Sequence, residues 1–382
     1  MKIRSNFLAG LLALASICGA GSAPADGSLV SLAYVNVTDV LADVSGGLKR
    51  EARILDKFDF TATFNGDDHG WPGISAFVDL QAMDGTDFSA RVVGDAQTVS
   101  NIDAPAGARV FDAWVAKDFG GRAGVKAGII DLNSEFDVQR TGALFLNSSH
   151  GIGPDFSQAG LNGPSIFPST GAGLIGWWLP GGHWQIKSGV FEGIPGDPSH
   201  PGRTDIAFTK DEGVLLVLEI RNRLTPDVVV GAGAWRYTAS FDAIGGRGRI
   251  SDNSGIYAIA DGALYKAPQG DDAGLSGWIR VGIADDRVNP IDATLGFGLV
   301  YTEPFGRKLD QAGISVGYAH WGAPARRASG LGAAETAIEA TYSVGLDEHL
   351  SIQPDLQYVV SPSADPARAD ALVIGARFTA TL

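Results

Sequence analysis

The chain has 382 residues, a formal net charge of −14, 52 glycines and only 19% charged residues, where globular domains carry about 25%. Such acidity argues against a nucleic-acid partner. Past the first 25 residues there is no run of 18 apolar residues, which excludes a membrane-crossing helix.

The first segment, "MKIRSNFLAGLLALASICGAGSAPADG", opens on Lys2 and Arg4, continues through an apolar run from Phe7 to Ala20 and ends at Ala23-Pro24-Ala25. This is the plan of a secretory signal peptide over residues 1–25, with 26–382 as one mature domain. Cys18 is the only cysteine, and Ile17 before it is too large for a lipoprotein site. Export therefore predicts an oxidising compartment for a chain without a disulfide.

From about residue 48 the dominant period is two. "KFDFTATF" sets Phe58, Phe60 and Phe64 against Asp59, Thr61 and Thr63. "HWQIKSGV" sets Trp184, Ile186 and Val190 against Gln185 and Lys187, and "GVLLVLEIRNR" sets Leu216, Leu218 and Ile220 against Glu219 and Arg221. "LSGWIRVGI" opposes Ile279, Val281 and Ile283 to Trp278 and Arg280. "TLGFGLVY" and "AIEATYSVGL" continue the pattern, and turn-rich stretches such as "NGDDHG" and "VGLDEHL" separate the strands.

The last stretch, "ALVIGARFTATL", alternates to its final residue, Leu382. An uncapped edge strand invites aggregation, so the natural partner is the first strand of the same chain. A soluble sandwich also alternates, but here Arg, Glu and Trp occupy the middle of the wet face. Trp71, Trp177, Trp178, Trp235, Tyr237, Tyr301, Tyr318, Trp321 and Tyr358 fall toward strand ends and predict aromatic girdles. The expected fold is all-β, a transmembrane antiparallel β-barrel. At on the order of 20–24 residues per strand and connection, residues 26–382 hold about 16 strands.

One segment, Ile129 to Gly171, breaks the alternation and is rich in Gly, Asn, Ser and Pro. Its sequence "DLNSEFDVQRTGALFLNSSHGIGPDFSQAGLNGPSIFPSTG", with "GLKREARILDKFDFTATF", "GDAQTVSNIDAP", "GVFEGIPGDPSHPG" and "GAWRYTASFD", resembles the carbohydrate-selective porins of the OprB type. The resemblance implies a 16-stranded outer-membrane barrel of a Gram-negative bacterium, passing monosaccharides such as glucose into the periplasm by diffusion. It implies no enzyme activity and no cofactor. Its partners would be outer-membrane lipid and small carbohydrates, with a monomer or a homotrimer both compatible. The chain departs from the usual aromatic C-terminus of such barrels, with Phe378 its nearest aromatic.

Within that segment, 147–169 is the candidate constriction loop, because Phe145, Ile152, Phe156, Ile166 and Phe167 need a dry place. The alternation points Arg53, Asp59, Asp79, Asp112, Trp114, Glu219, Arg221, Arg236, Trp278, Arg280, Glu339 and Arg377 inward as pore-lining candidates. Charge facing lipid would cost about 2–4 kcal/mol for Arg or Lys near the midplane. Arginine donors, carboxylate acceptors and flat rings suit the hydroxyls and apolar faces of sugars.

An alternative is a general or anion-preferring porin of the same fold, with the arginines setting charge selectivity. Two motifs point elsewhere and fail on chemistry. "DLNSEFD" resembles a calcium loop, but Phe136 and Gly142 stand where an EF-hand needs Gly and Glu. "NSSHG" groups Ser148, Ser149 and His150, yet adjacent loop residues make no oriented nucleophile–base pair.

Overall fold

A computed structural model describes residues 28–197, 204, 206, 212–246, 248–268 and 273–382. The proposed leader at 1–25 lies outside them. Sixteen antiparallel strands form a closed barrel. In chain order they are β1 (Val30–Ser45), β2 (Glu51–Asn65), β3 (Ile74–Asp84), β4 (Gly107–Asp118), β5 (Ala123–Ile130), β6 (Gly171–Gly181), β7 (Trp184–Glu192) and β8 (Val214–Thr225). There follow β9 (Val228–Tyr237), β10 (Asn253–Lys266), β11 (Gly274–Ala284), β12 (Ile291–Thr302), β13 (Gln311–Trp321), β14 (Ala334–Gly345), β15 (Leu350–Val360) and β16 (Ala371–Thr381).

Closure is made by the two ends of the chain. β1 pairs with β16 in the register Val35↔Thr381, Asp39↔Arg377 and Ala42↔Ile374. Tyr34 and Leu382 exchange two backbone hydrogen bonds of 2.9 Å. Every strand then has two neighbours, which is how lipid-embedded sheets avoid bare amides.

The two rims differ. At one, connections such as 119–122, 182–183 and 226–227 have two to eight residues; at the other they run from 46–50 up to 131–170. Short turns mark the periplasmic end and long loops the extracellular end.

The period-two pattern sorts the faces as expected. Leu32, Ile54, Leu218, Ile256 and Ile283 are exposed on the outer wall, while their neighbours Leu55, Glu219 and Tyr257 are buried inside. Pro354 of β15 lies on the outer face, where the β14–β15 ladder passes from Thr341↔Asp355 to Val344↔Ile352. The Thr341 hydroxyl donates to Pro354 O at 2.9 Å, so the proline's missing donor falls at an irregular point of the ladder.

The girdle expectation holds only in part. Trp178 and Tyr358 are exposed on the outer face, but Trp235, Tyr237 and Trp321 are buried in the interior. The reason is that the interior is not simply wet. Two loops, 85–106 and 131–170, turn into the barrel and need apolar partners.

Phe136, Ile152 and Phe156 pack with Trp235, Tyr237 and Tyr257 in one cluster. Phe88, Val92, Val93 and Ile102 pack with Leu41, Leu55 and Val373 in another. Phe156 stacks on Trp235 at 5.0 Å with rings 4° apart.

Candidate permeation site

The lumen is organised by the 131–170 loop, and wall carboxylates hold that loop by its main chain. Asp112 of β4 accepts from Asp131 N at 2.8 Å. Glu219 of β8 accepts from Asp137 N at 2.9 Å, and Asp261 of β10 from Thr141 N at 2.9 Å. Glu339 of β14 accepts from Leu146 N at 2.6 Å and Asn147 N at 3.0 Å. The smaller loop is held likewise, Glu335 accepting from Ala96 N and Gln97 N at 2.8 and 2.9 Å. Each bond satisfies an interior amide that would otherwise lack a partner.

Side chains complete the anchorage. Arg280 of β11 is 1% exposed and bonds Asp137 at 2.8 Å and Asp155, both carboxylates belonging to the loop. The fork needs space on both sides. A Cβ on Gly282 would lie 2.2 Å from Arg280 Nη1, and one on Gly153 2.1 Å from it. Burial raises the Asp137 carboxyl and Arg280 opposes this, leaving it at about 6.

His150 is wholly buried, its Nε2 2.8 Å from Ser315 Oγ and its ring edge-on to Trp278 at 5.3 Å. Burial pulls its pKa down to about 3, so the ring is neutral. It packs between Phe145 and Trp278 with no surface exposed.

A second set of lumen cations keeps contact with solvent. Arg53, Lys57, Lys126, Lys187, Arg221 and Arg377 have side chains 10–19% exposed. Each has a carboxylate partner. Lys57 meets Asp59 at 2.6 Å, Arg221 meets Glu219 at 2.6 Å and Arg377 meets Asp39 at 2.7 Å. Arg53 meets Glu51 at 2.8 Å. Lys126 and Lys187 share Glu135, the latter at 2.6 Å.

Burial alone would raise the Glu135 carboxyl, but the Lys187 and Lys126 ammonium groups outweigh it and hold the pKa at about 2. Lys126 also sits over the Trp114 ring at 3.9 Å, and Phe77 lies 5.6 Å from that ring.

The twelve candidates thus divide. Asp59, Arg53, Arg221 and Arg377 belong to the partly exposed pairs, and Trp114 lies beside them. Asp112, Glu219 and Glu339 face inward but grip the loop. Arg280 and Trp278 are buried beneath it, and Asp79 is 8% exposed on the inner face.

Arg236 is a correction. It lies on the outer face with its side chain 61% exposed, paired with Asp252 at 3.2 Å. It is the penultimate residue of β9, at the rim, where outward charge costs only about 0–1 kcal/mol. The inward positions beside it belong to Trp235 and Tyr237, whose hydroxyl donates to Ala159 O at 3.2 Å.

Lys57, Lys126, Lys187 and Asp39 were not among the candidates, although the wet-face alternation of "KFDF" and "WQIK" carried the signal for Lys57 and Lys187. The four polar side chains at alternate positions of "DLNSEFD" diverge to separate partners. Asp131 caps the turn Leu132–Ser134, Glu135 takes two lysines, Asp137 takes Arg280, and Asn133 donates to Phe136 O at 3.1 Å.

A closed transmembrane cylinder with a wet interior and an inward loop defines a diffusion channel of the Gram-negative outer membrane. Residues 49–382 match the family model described as "Carbohydrate-selective porin, OprB family". The chain belongs to that family, and is a carbohydrate diffusion porin rather than an enzyme.

Its fold is similar to the high-pH structure of Pseudomonas putida OprB, with a TM-score of 0.80, 18% identity, and coverage of 92% of this chain and 94% of that one. DcaP of Acinetobacter baumannii is also similar, with a TM-score of 0.57, 8% identity, and coverage of 92% and 97%. So is a mutant porin of Rhodopseudomonas blastica, at 0.55, 14%, and 92% and 99%. No curated protein sequence matches the chain.

Proposed function

We propose that the channel admits neutral monosaccharides, glucose among them, along the partly exposed track of Lys57, Lys126, Lys187, Arg221 and Trp114. One observation supports this above the rest. The cations of the track each have a carboxylate partner in the wall or loop, with Lys126 and Lys187 sharing Glu135, so a passing solute meets many donors and acceptors with most of the charge balanced. Hydroxyls exchange bonds with such pairs easily, and weak multi-site contact lets the solute leave. An anion-preferring pore would be better served by bare cations. The same reading takes residues 1–25 as a removed export signal, with N-terminal sequencing of the mature protein as its check.

Liposome swelling and planar-bilayer current test the proposal together. Glucose should enter quickly and reduce ion current, and the reversal potential in a salt gradient should lie near zero. Rapid swelling by amino acids as well as glucose, with a strongly anion-selective current, would favour the general porin instead.

A further inference from the structure

Arg109 differs from the other interior cations. It is the third residue of β4, faces the lumen near the extracellular rim, and is 8% exposed. Its Nη1 donates to Pro168 O, at the returning end of the 131–170 loop. Its Nε and Nη2 are buried and donate to nothing. Among the described residues no carboxylate pairs with it, whereas Lys57, Lys126, Lys187, Arg221, Arg280 and Arg377 each have one. A buried cation without a counter-charge is costly to keep.

The free atoms are not scattered. Nε–H and Nη2–H are the two parallel donors on one edge of the guanidinium, the edge that takes both oxygens of a carboxylate. The Pro168 contact occupies the opposite side and holds the plane in place. Gln81, directly across from Arg109 in the β3–β4 register, has its Oε1 buried without a donor, while its Nε2 is committed to Asp59 at 2.8 Å. Neighbouring positions on the inner wall therefore offer two unused donors and one unused acceptor.

We propose that Arg109 and Gln81 form a binding subsite for sugar acids, in which the carboxylate takes the Arg109 edge and an adjacent hydroxyl donates to Gln81 Oε1. A monosaccharide carboxylate, such as a uronate, carries both groups. The inference rests on the sugar-channel reading above, and extends the solutes of that channel to an acidic class bound near its outer mouth.

The test is ion-current reduction across a planar bilayer by sodium glucuronate and by glucose, on the wild-type channel and on R109Q and R109K. Wild type should respond to glucuronate at about tenfold lower concentration than to glucose, the effect of one added charge-assisted pair. R109Q should lose that preference while keeping its glucose response. R109K retains charge but not the fork, and should recover little of the preference. Equal wild-type sensitivity to the two solutes overturns the subsite without requiring any variant to fold. A glucuronate preference that survives in R109Q overturns it too. Failure of glucose to swell liposomes would instead remove the sugar-channel reading, an outcome read separately.

Discussion

Arg280 and the Lys126–Glu135–Lys187 group are both interior ion clusters, their cations contributed by the wet face of alternating strands and their carboxylates by the 131–170 loop. They do different work. Arg280 sits under the loop, 1% exposed, between two of the loop's carboxylates; the lysines sit 10–13% exposed at its side. Inward direction alone decides neither role. What decides is which part of the wall the loop covers: Arg280, beneath it, is satisfied by the loop's own carboxylates, whereas the lysines beside it keep contact with solvent.

The largest expected effect follows from removing the covered cation. Arg280→Met leaves Asp137 and Asp155 buried without a counter-charge, a loss of about 3–5 kcal/mol. The loop should loosen, seen as a lower heat-modification temperature in detergent and a larger, noisier single-channel conductance. An unchanged conductance would show that the loop does not set the gauge.

Glu339→Gln should have a smaller effect of the same kind. The amide keeps one acceptor oxygen for Leu146 N and Asn147 N and loses the other, a cost of about 0.5–1.5 kcal/mol.

Glu135→Gln examines the uncovered cluster. It strips both lysines of their partner, and an uncompensated ammonium about 4 Å from a passing anion contributes roughly 1 kcal/mol in water-like surroundings, or about fivefold in partition. The reversal potential should move toward anions, and heat stability should fall as the carboxylate shared by the two lysines is lost.

The pH dependence has a definite sign. The Glu135 carboxyl is held at about 2, below its ordinary 4.5, so its stabilising charge is complete above pH 4.5 and disappears as pH falls toward 2. Wild-type selectivity should stay level from neutral pH down to about 4.5 and approach that of E135Q only in strong acid.

Trp114→Ala should weaken glucose inhibition of the current by roughly two- to tenfold, corresponding to about 0.5–1.5 kcal/mol of ring contact, with selectivity kept. Arg236→Ala should be nearly silent, within about 0.5 kcal/mol in stability and with normal permeation, since the side chain lies outside the barrel at its rim.

The barrel itself was legible from short-range pattern. Phe58 and Phe60 against Asp59, and Ile279 and Val281 against Trp278 and Arg280, fixed both faces with no long-range information. The pattern fails where neither face carries a signal. In "VVVGAGAWRY" the Gly and Ala positions are nearly equivalent, so the charge of Arg236 suggested an inward side that Trp235 and Tyr237 occupy.

The interior loops were legible only as apolar residues in need of shelter. Phe145, Ile152 and Phe156 announced burial, but their partners come from strands up to two hundred residues away, as with Leu146 N and Glu339. The shorter 85–106 loop gave less warning still, because its Phe88, Val92 and Val99 are separated by polar residues and turns.

The carboxylates that hold the 131–170 loop take hold of amide hydrogens, a feature every residue except proline shares. Substitutions along much of that loop would therefore leave its moorings untouched. Such an arrangement lets a lineage alter what its pore admits, one side chain at a time, on a frame that does not need to be rebuilt.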